Sequence, residues 1–230
     1  MKTIGLLGGM SWESSIEYER LINTEVRRRL GGVHSADLLI RSYDFAAIEA
    51  LQERGDWKAA GELLAADAAR LETAGAELVV LCTNTMHRAA EAIEAAITVP
   101  LLHIADATAD AIDRAGLTRV ALLGTRYTME QDFYRGRLAA RGLDISIPTE
   151  PERDMIHRVI FDELVQGEVS GASRGQFVAA IERLIEDGAE GVIAGCTEIE
   201  LLVTPDDVSC PYFPTTALHA RAAVDAALDG

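Results

Sequence analysis

Short apolar runs alternate along the whole chain with longer stretches whose apolar residues recur every three or four positions. Bounded runs of about four to six read as buried parallel strands, and the longer spacing reads as helices with one apolar face. The pattern predicts strands over 3–7, 37–42, 78–81 and 100–104, then again over 119–123, 143–147, 191–195 and 211–214. The first helix puts Ile16, Leu21, Ile22, Val26 and Leu30 inward, with Ser11 as N-cap and Gly31 and Gly32 as its stop. Residues 43–55 read as a loop or a short helix. Asp56 caps a helix carrying Ala60, Leu63, Leu64 and Leu71, closed by Gly75. Further helices are expected over 86–96, 105–115, 129–141, 151–165, 173–187 and 216–228.

The series runs twice. Gly8 and Gly124, Cys82 and Cys196, and Pro100 and Pro211 are separated by 116, 114 and 111 positions, nearly one offset. In each half an apolar strand ends in Cys-Thr and a helix start follows. The expected fold is therefore α/β: two similar lobes, each a four-stranded parallel sheet flanked by helices with right-handed crossovers, related by a pseudo-two-fold axis. The first lobe would comprise 1–103 plus 213–230 and the second 104–212. Cys82 and Cys196 would then face each other across a cleft, at the strand ends where open α/β sheets place their ligands.

Composition narrows the field. Of 230 residues, 49% are apolar and only 5% aromatic, and the net charge is −16 with 21 basic residues. No basic footprint for nucleic acid is visible. No run approaches the roughly 20 apolar residues of a membrane span. Residues 1–10 read as strand and glycine turn, not as a secretory leader. With three cysteines, an odd number, the expectation is a cytoplasmic protein with reduced thiols.

Two opposed thiols suit one reaction type. Inverting an amino acid's α-carbon requires removing a proton from one face and returning one to the other. A thiolate and a thiol on opposite sides do this, exchanging roles with direction. A helix N-terminus after each cysteine is expected to lower its pKa from about 8.5. Thr83, Thr85 and Thr197, with backbone N–H groups, are candidates to hold a substrate carboxylate and stabilise the carbanion.

The segments GLLGGMSWESS, LCTNTMH, LLGT (122–125) and GCTEIELL (195–202) together resemble the aspartate/glutamate racemase family over essentially the whole chain. The resemblance implies a cofactor-independent racemase of two α/β lobes, usually a homodimer, acting on a small amino-acid substrate. It implies Cys82 and Cys196 as the acid/base thiols, with Thr83, Asn84, Thr85, Thr125, Thr197 and Glu198 around the substrate and Met10 and Trp12 at the cleft edge. Aspartate-specific members carry basic residues in loops that here read 43–47 and 161–165, without Arg or Lys. A distal carboxylate is poorly held without a cation. GGMSWES and YDFAAIEALQ look more like the broad-specificity branch, so neutral or hydroxylated substrates are admitted. Two rivals stand beside racemisation: a covalent cysteine isomerase of the maleate cis–trans type, and a non-catalytic small-molecule binding module.

Other residues take plainer roles. Cys210 reads as structural. Gly8-Gly9 lacks a dinucleotide fingerprint and reads as a tight turn. His87, five positions past Cys82, either polarises a thiol or is a hydrogen-bonded structural histidine, the latter reading being preferred, and His34, His103, His157 and His219 have no metal-ligand spacing, so no metal is expected. Glu198 either serves Cys196 or the substrate ammonium, or complements its helix dipole. Trp12 either lines the cleft or staples its helix. Arg27, Arg28 and Arg29 read as a solvated helix end.

Overall fold

A computed structural model describes residues 1–229. The elements run β1 (Ile4–Gly8), α1 (Trp12–Leu30), β2 (Leu38–Ser42), α2 (Phe45–Glu53), α3 (Trp57–Thr73), β3 (Leu78–Leu81), α4 (Ala90–Glu94), β4 (Leu101–Leu102) and α5 (Ile104–Ala115). They continue as β5 (Arg119–Gly124), α6 (Arg126–Glu130), α7 (Asp132–Ala139), β6 (Asp144–Ser146), α8 (Glu150–Asp162), α9 (Gly171–Glu186), β7 (Gly191–Gly195), α10 (Thr197–Leu202), β8 (Tyr212–Pro214) and α11 (Thr215–Leu228). Two compact units result: Met1–Ile104 with His219 onward, and Ala105–Leu218.

Each unit holds a four-stranded, all-parallel sheet flanked by helices, in the order β2-β1-β3-β4 in the first and β6-β5-β7-β8 in the second. The α/β architecture expected from the strand pattern is thus the one the chain builds, and the duplicated sequence yields the same strand order twice.

In the first unit, alternation along the strands sorts side chains to two faces. Leu7, Val79 and Leu81 pack with Ile48, Leu64, Ala68 and Ile93 from α2, α3 and α4. Ile4, Leu6, Leu78, Val80 and Cys82 pack with Tyr18, Ile22 and Val26 of α1 and with Ala220, Ala223, Val224 and Ala227 of α11. In the second unit Ala121, Leu123, Val192 and Ala194 meet Ile156, Val159 and Ile160 of α8 and Phe177, Ile181 and Leu184 of α9.

Several elements differ from the pattern-based expectation. The inner stripe of α1 is Ser14, Tyr18, Ile22 and Val26, an i, i+4 row, while Ile16 and Leu30 are exposed. Ser11 takes the N-cap position without a side-chain capping bond. Residues 43–55 contain the real helix α2, because the Asp44 carboxylate accepts from Ala46 N–H and starts it. Strand β4 is only two residues long, and two positions beyond it the N–H of Ile104 donates to His87 Nε2. The expected helix over 129–141 is two helices, α6 and α7, separated by extended Gln131. The helix expected over 86–96 is a 3-10 turn, Thr85–Ala89, running into the short α4.

Candidate functional site

In the first unit β1 and β3 are hydrogen-bonded neighbours, but the chain leaves β1 toward β2 on one side and β3 toward β4 on the other. Their carboxyl-end connections therefore diverge, which opens a crevice at this switch point. Leu7 and Leu81 are in register, and Cys82 N–H donates to Leu7 O at 2.9 Å. The loop of Gly9, Met10 and Ser11 is thereby set beside the segment of Cys82, Thr83, Asn84 and Thr85. Gly9 is indispensable to this loop: its φ is +82°, and a Cβ there would overlap the backbone N and O of Tyr43.

Cys82 is fully enclosed, part of the core shared by α1 and α11, and burial pushes its thiol well above the usual thiol range. Asn84 and Thr85 are buried, and Thr83 is half-buried. Met10 is buried against the α2 and α3 cluster, whereas Trp12 begins α1 with 61% of its surface exposed.

His87 is held from both ring nitrogens. Nδ1 lies 2.7 Å from Thr83 O, and Nε2 accepts from Ile104 N–H at 3.2 Å. That pattern assigns a neutral ring with its proton on Nδ1, donated to Thr83 O. Burial, with His103 and His219 nearby, lowers its pKa well below the usual imidazole value. The His87 ring centroid lies 4.4 Å from that of His103 and 5.7 Å from that of His219. His219 Nε2 contacts Leu102 O at 2.9 Å, and its Nδ1 contacts Tyr18 Oη at 2.8 Å. His87 thus braces the segment after Cys82, in keeping with the structural role expected for it. The three-histidine cluster itself was invisible to sequence spacing, because its members come from three distant segments.

The second unit repeats the switch point at β5 and β7, with Gly124 and Gly195 in register. The two strands close tightly here: a Cβ on Gly195 would sit 2.8 Å from Leu123 O. Thr125 caps α6, its Oγ1 accepting from Thr128 N–H at 3.3 Å. Cys196 occupies the N-cap of α10, and its Sγ donates to Glu198 Oε2 at 2.8 Å. Thr197 Oγ1 shares a 3.0 Å hydrogen bond with Thr216 Oγ1. Cys196 keeps some solvent contact although densely surrounded; burial first, and the Glu198 carboxylate second, raise its thiol pKa well above the usual value.

The expectation that helix N-termini lower both thiol pKa values is therefore reversed. A six-residue helix and a 3-10 turn supply little dipole, and enclosure outweighs it. Cys210 lies away from either switch point, partly buried against the α8 and α9 core.

One contact beside the carboxyl end of β5 was not foreseen from the sequence. Arg126 N–H donates to His157 Nδ1 at 3.2 Å, and the Arg126 guanidinium pairs with Asp154 at 2.5 Å. Asp154 and His157 sit three apart on α8, but nothing in their spacing reveals that they cover the start of α6. Among the described residues, no group of three or more His, Cys, Asp or Glu is placed to hold a metal ion, and no helix is long and apolar enough to cross a membrane.

The Asp/Glu/Hydantoin racemase family matches residues 7–223. A Yersinia pestis protein assigned as an Asp/Glu racemase superposes with a TM-score of 0.93 at 52% identity, covering 99% of this chain and all of that one. An aspartate racemase homologue from Pyrococcus horikoshii OT3 gives a TM-score of 0.85 at 35% identity, over 99% of both chains. The broad-specificity amino-acid racemase RacX of Bacillus subtilis (strain 168) is 23% identical over 164 residues, 68% of this chain and 67% of RacX. With a family match spanning nearly its whole length and relatives aligned end to end, the chain belongs to the Asp/Glu/Hydantoin racemase family.

Proposed function

We propose that the protein is an amino-acid racemase that needs no organic cofactor and moves the α-proton between Cys82 and Cys196. The observation that carries this reading is the repeated placement of Cys-Thr at the carboxyl end of the third strand of each unit, at the switch point. The racemase names of the relatives support the reaction class. The reading requires the two sulfurs to reach one α-carbon from opposite faces, one as thiolate and one as thiol.

Burial raises the pKa of both thiols in the free protein. In this reading the thiolate forms when substrate binds. An α-ammonium near Glu198 would offset the carboxylate charge that disfavours the Cys196 thiolate, so the base appears only with substrate in place. Thr83, Asn84, Thr85, Thr125 and Thr197 would hold the substrate carboxylate and spread the carbanion's charge over hydrogen bonds. Met10 and Trp12 would border the entrance.

The test is α-proton exchange in D2O with a panel of L- and D-amino acids, followed by NMR and chiral chromatography. Wild-type protein is expected to incorporate α-deuterium and to invert configuration. Cys82→Ser and Cys196→Ser are each expected to lose inversion. Wild-type inversion by either variant, or no exchange by folded protein with any amino acid, would remove the two-thiol reading.

A further inference from the structure

The second unit carries a cavity of about 220 Å³ between α7 and the edge strand β6. Its walls include Asp132, Arg135, Ala139, Leu143, Asp144 and Ile145. Asp144 and Ile145 pair with Arg119 and Val120, at the amino-terminal start of β5. Thr125 and Cys196 follow the opposite ends of β5 and β7, about 16 Å away along the strands. The cavity is therefore not part of the thiol site.

Its charged residues differ from their neighbours in pairing. Arg126, Arg137, Arg141 and Arg153 each hold a carboxylate. Arg135 does not: its Nε is enclosed and without a hydrogen-bond partner among the described residues. Asp132 stands three residues before it on the same helix, a spacing that ordinarily favours an ion pair. Yet among the described residues neither Asp132 nor Asp144 pairs with Arg135 or with any other cation, and all three line one small space. Arg135 thus lines the space without a carboxylate on it, and its terminal guanidinium N–H groups are suited to an anionic partner.

We propose that this cavity binds a basic amino acid, a molecule with one carboxylate and two ammonium groups. The carboxylate would meet Arg135, the two ammonium groups Asp132 and Asp144, and the methylenes would lie against Ala139, Leu143 and Ile145. One cation and two anions on the protein match one anion and two cations on the ligand. A net −1 cavity favours this class over a neutral or acidic amino acid. The volume is below that of drug-sized pockets and suits a small metabolite. The site does not depend on the racemase reading, and its test reads binding, not turnover.

The probe is radiolabelled L-lysine in equilibrium dialysis against the full chain. The expected result is saturable binding that weakens at least about tenfold in Arg135→Gln and in Asp144→Asn. Cadaverine, which lacks the carboxylate, and norleucine, which lacks the second ammonium, are expected to compete poorly. Thermal melts of both variants matching wild type would confirm that they are folded. No saturable lysine binding, unchanged affinity in the two folded variants, or cadaverine competing as well as lysine itself would each overturn the proposal.

Discussion

Cys82 and Cys196 occupy matching places in the repeat but unlike surroundings. Cys82 is sealed in a core, while Cys196 retains solvent contact and donates to a carboxylate 2.8 Å away. Iodoacetamide should therefore alkylate Cys196 at least about tenfold faster than Cys82 in the folded free protein, because reagent access to a sealed thiol requires opening. Peptide mass spectrometry with time measures this, and equal rates would contradict the enclosure of Cys82. Glu198 gives a second test. Its negative charge disfavours the Cys196 thiolate, so Glu198→Gln should move the pH of half-maximal Cys196 alkylation downward. A midpoint that stays put or rises would detach Glu198 from the thiol's electrostatics. The place of both cysteines after matching strands, with Thr and Glu following Cys196, was legible in the sequence. The direction of their pKa shifts was not. Helix starts are visible in a sequence, but the depth of burial that overrides them is a property of packing.

At the scale of elements, loops are fixed by what they must pass. Gly9 and Gly31 both have positive φ, yet a Cβ on Gly9 meets Tyr43 backbone and one on Gly31 meets nothing within 4 Å. Gly31→Ala should cost about 1–3 kcal/mol, a conformational cost alone. Gly9→Ala should cost about 3 kcal/mol or more, since the loops after β1 and β2 must separate. Urea denaturation compares the two, and equal losses would mean that the close approach is not needed. His87 works at the same scale, tying the 3-10 turn after Cys82 to the start of α5. Its folded pKa is lowered, so below the free-imidazole value of about 6.5 the unfolded chain takes up a proton that the folded chain refuses. Stability is then complete above that value and falls by about 1.4 kcal/mol per pH unit below it for each such histidine. The drop in urea midpoint between about pH 7.5 and about pH 5.5 should shrink in His87→Gln, which keeps a donor and an acceptor but does not titrate. An unchanged drop would place the proton uptake elsewhere. Strand positions and most helices were legible at this scale, because burial periodicity is written in the sequence. The shortness of β4 was not, nor was the bond from Ile104 N–H to a histidine seventeen residues earlier, which only the fold brings together.

At the scale of the whole molecule, the nearly constant offset between Gly8 and Gly124, Cys82 and Cys196, and Pro100 and Pro211 foretold two sheets of one topology, since duplicated strands inherit the same crossovers. The two units differ in continuity. The first is assembled from both ends of the chain, while the second is the single stretch Ala105–Leu218. That stretch contains all four strands of its sheet and the complete core formed by α8, α9 and α10 against β5 and β7. Its leading helix, α5, carries ion pairs made within the unit: Arg137 pairs with Asp106, and Arg141 with Asp110 and Asp113. The exposed ion pairs contribute little each, and Ala105, Ala109 and Ile112 of α5 are buried. A chain of about a hundred residues with one closed core is large enough to fold alone. Residues 105–218 expressed by themselves should accordingly give a native-like far-ultraviolet circular dichroism spectrum and a single cooperative thermal transition. The fragment keeps Cys196 and lacks Cys82, so under the two-thiol reading it should invert no amino acid. A fragment without a cooperative melt would show that the second unit borrows its stability from the first, and a folded fragment that racemises would leave Cys82 without a role.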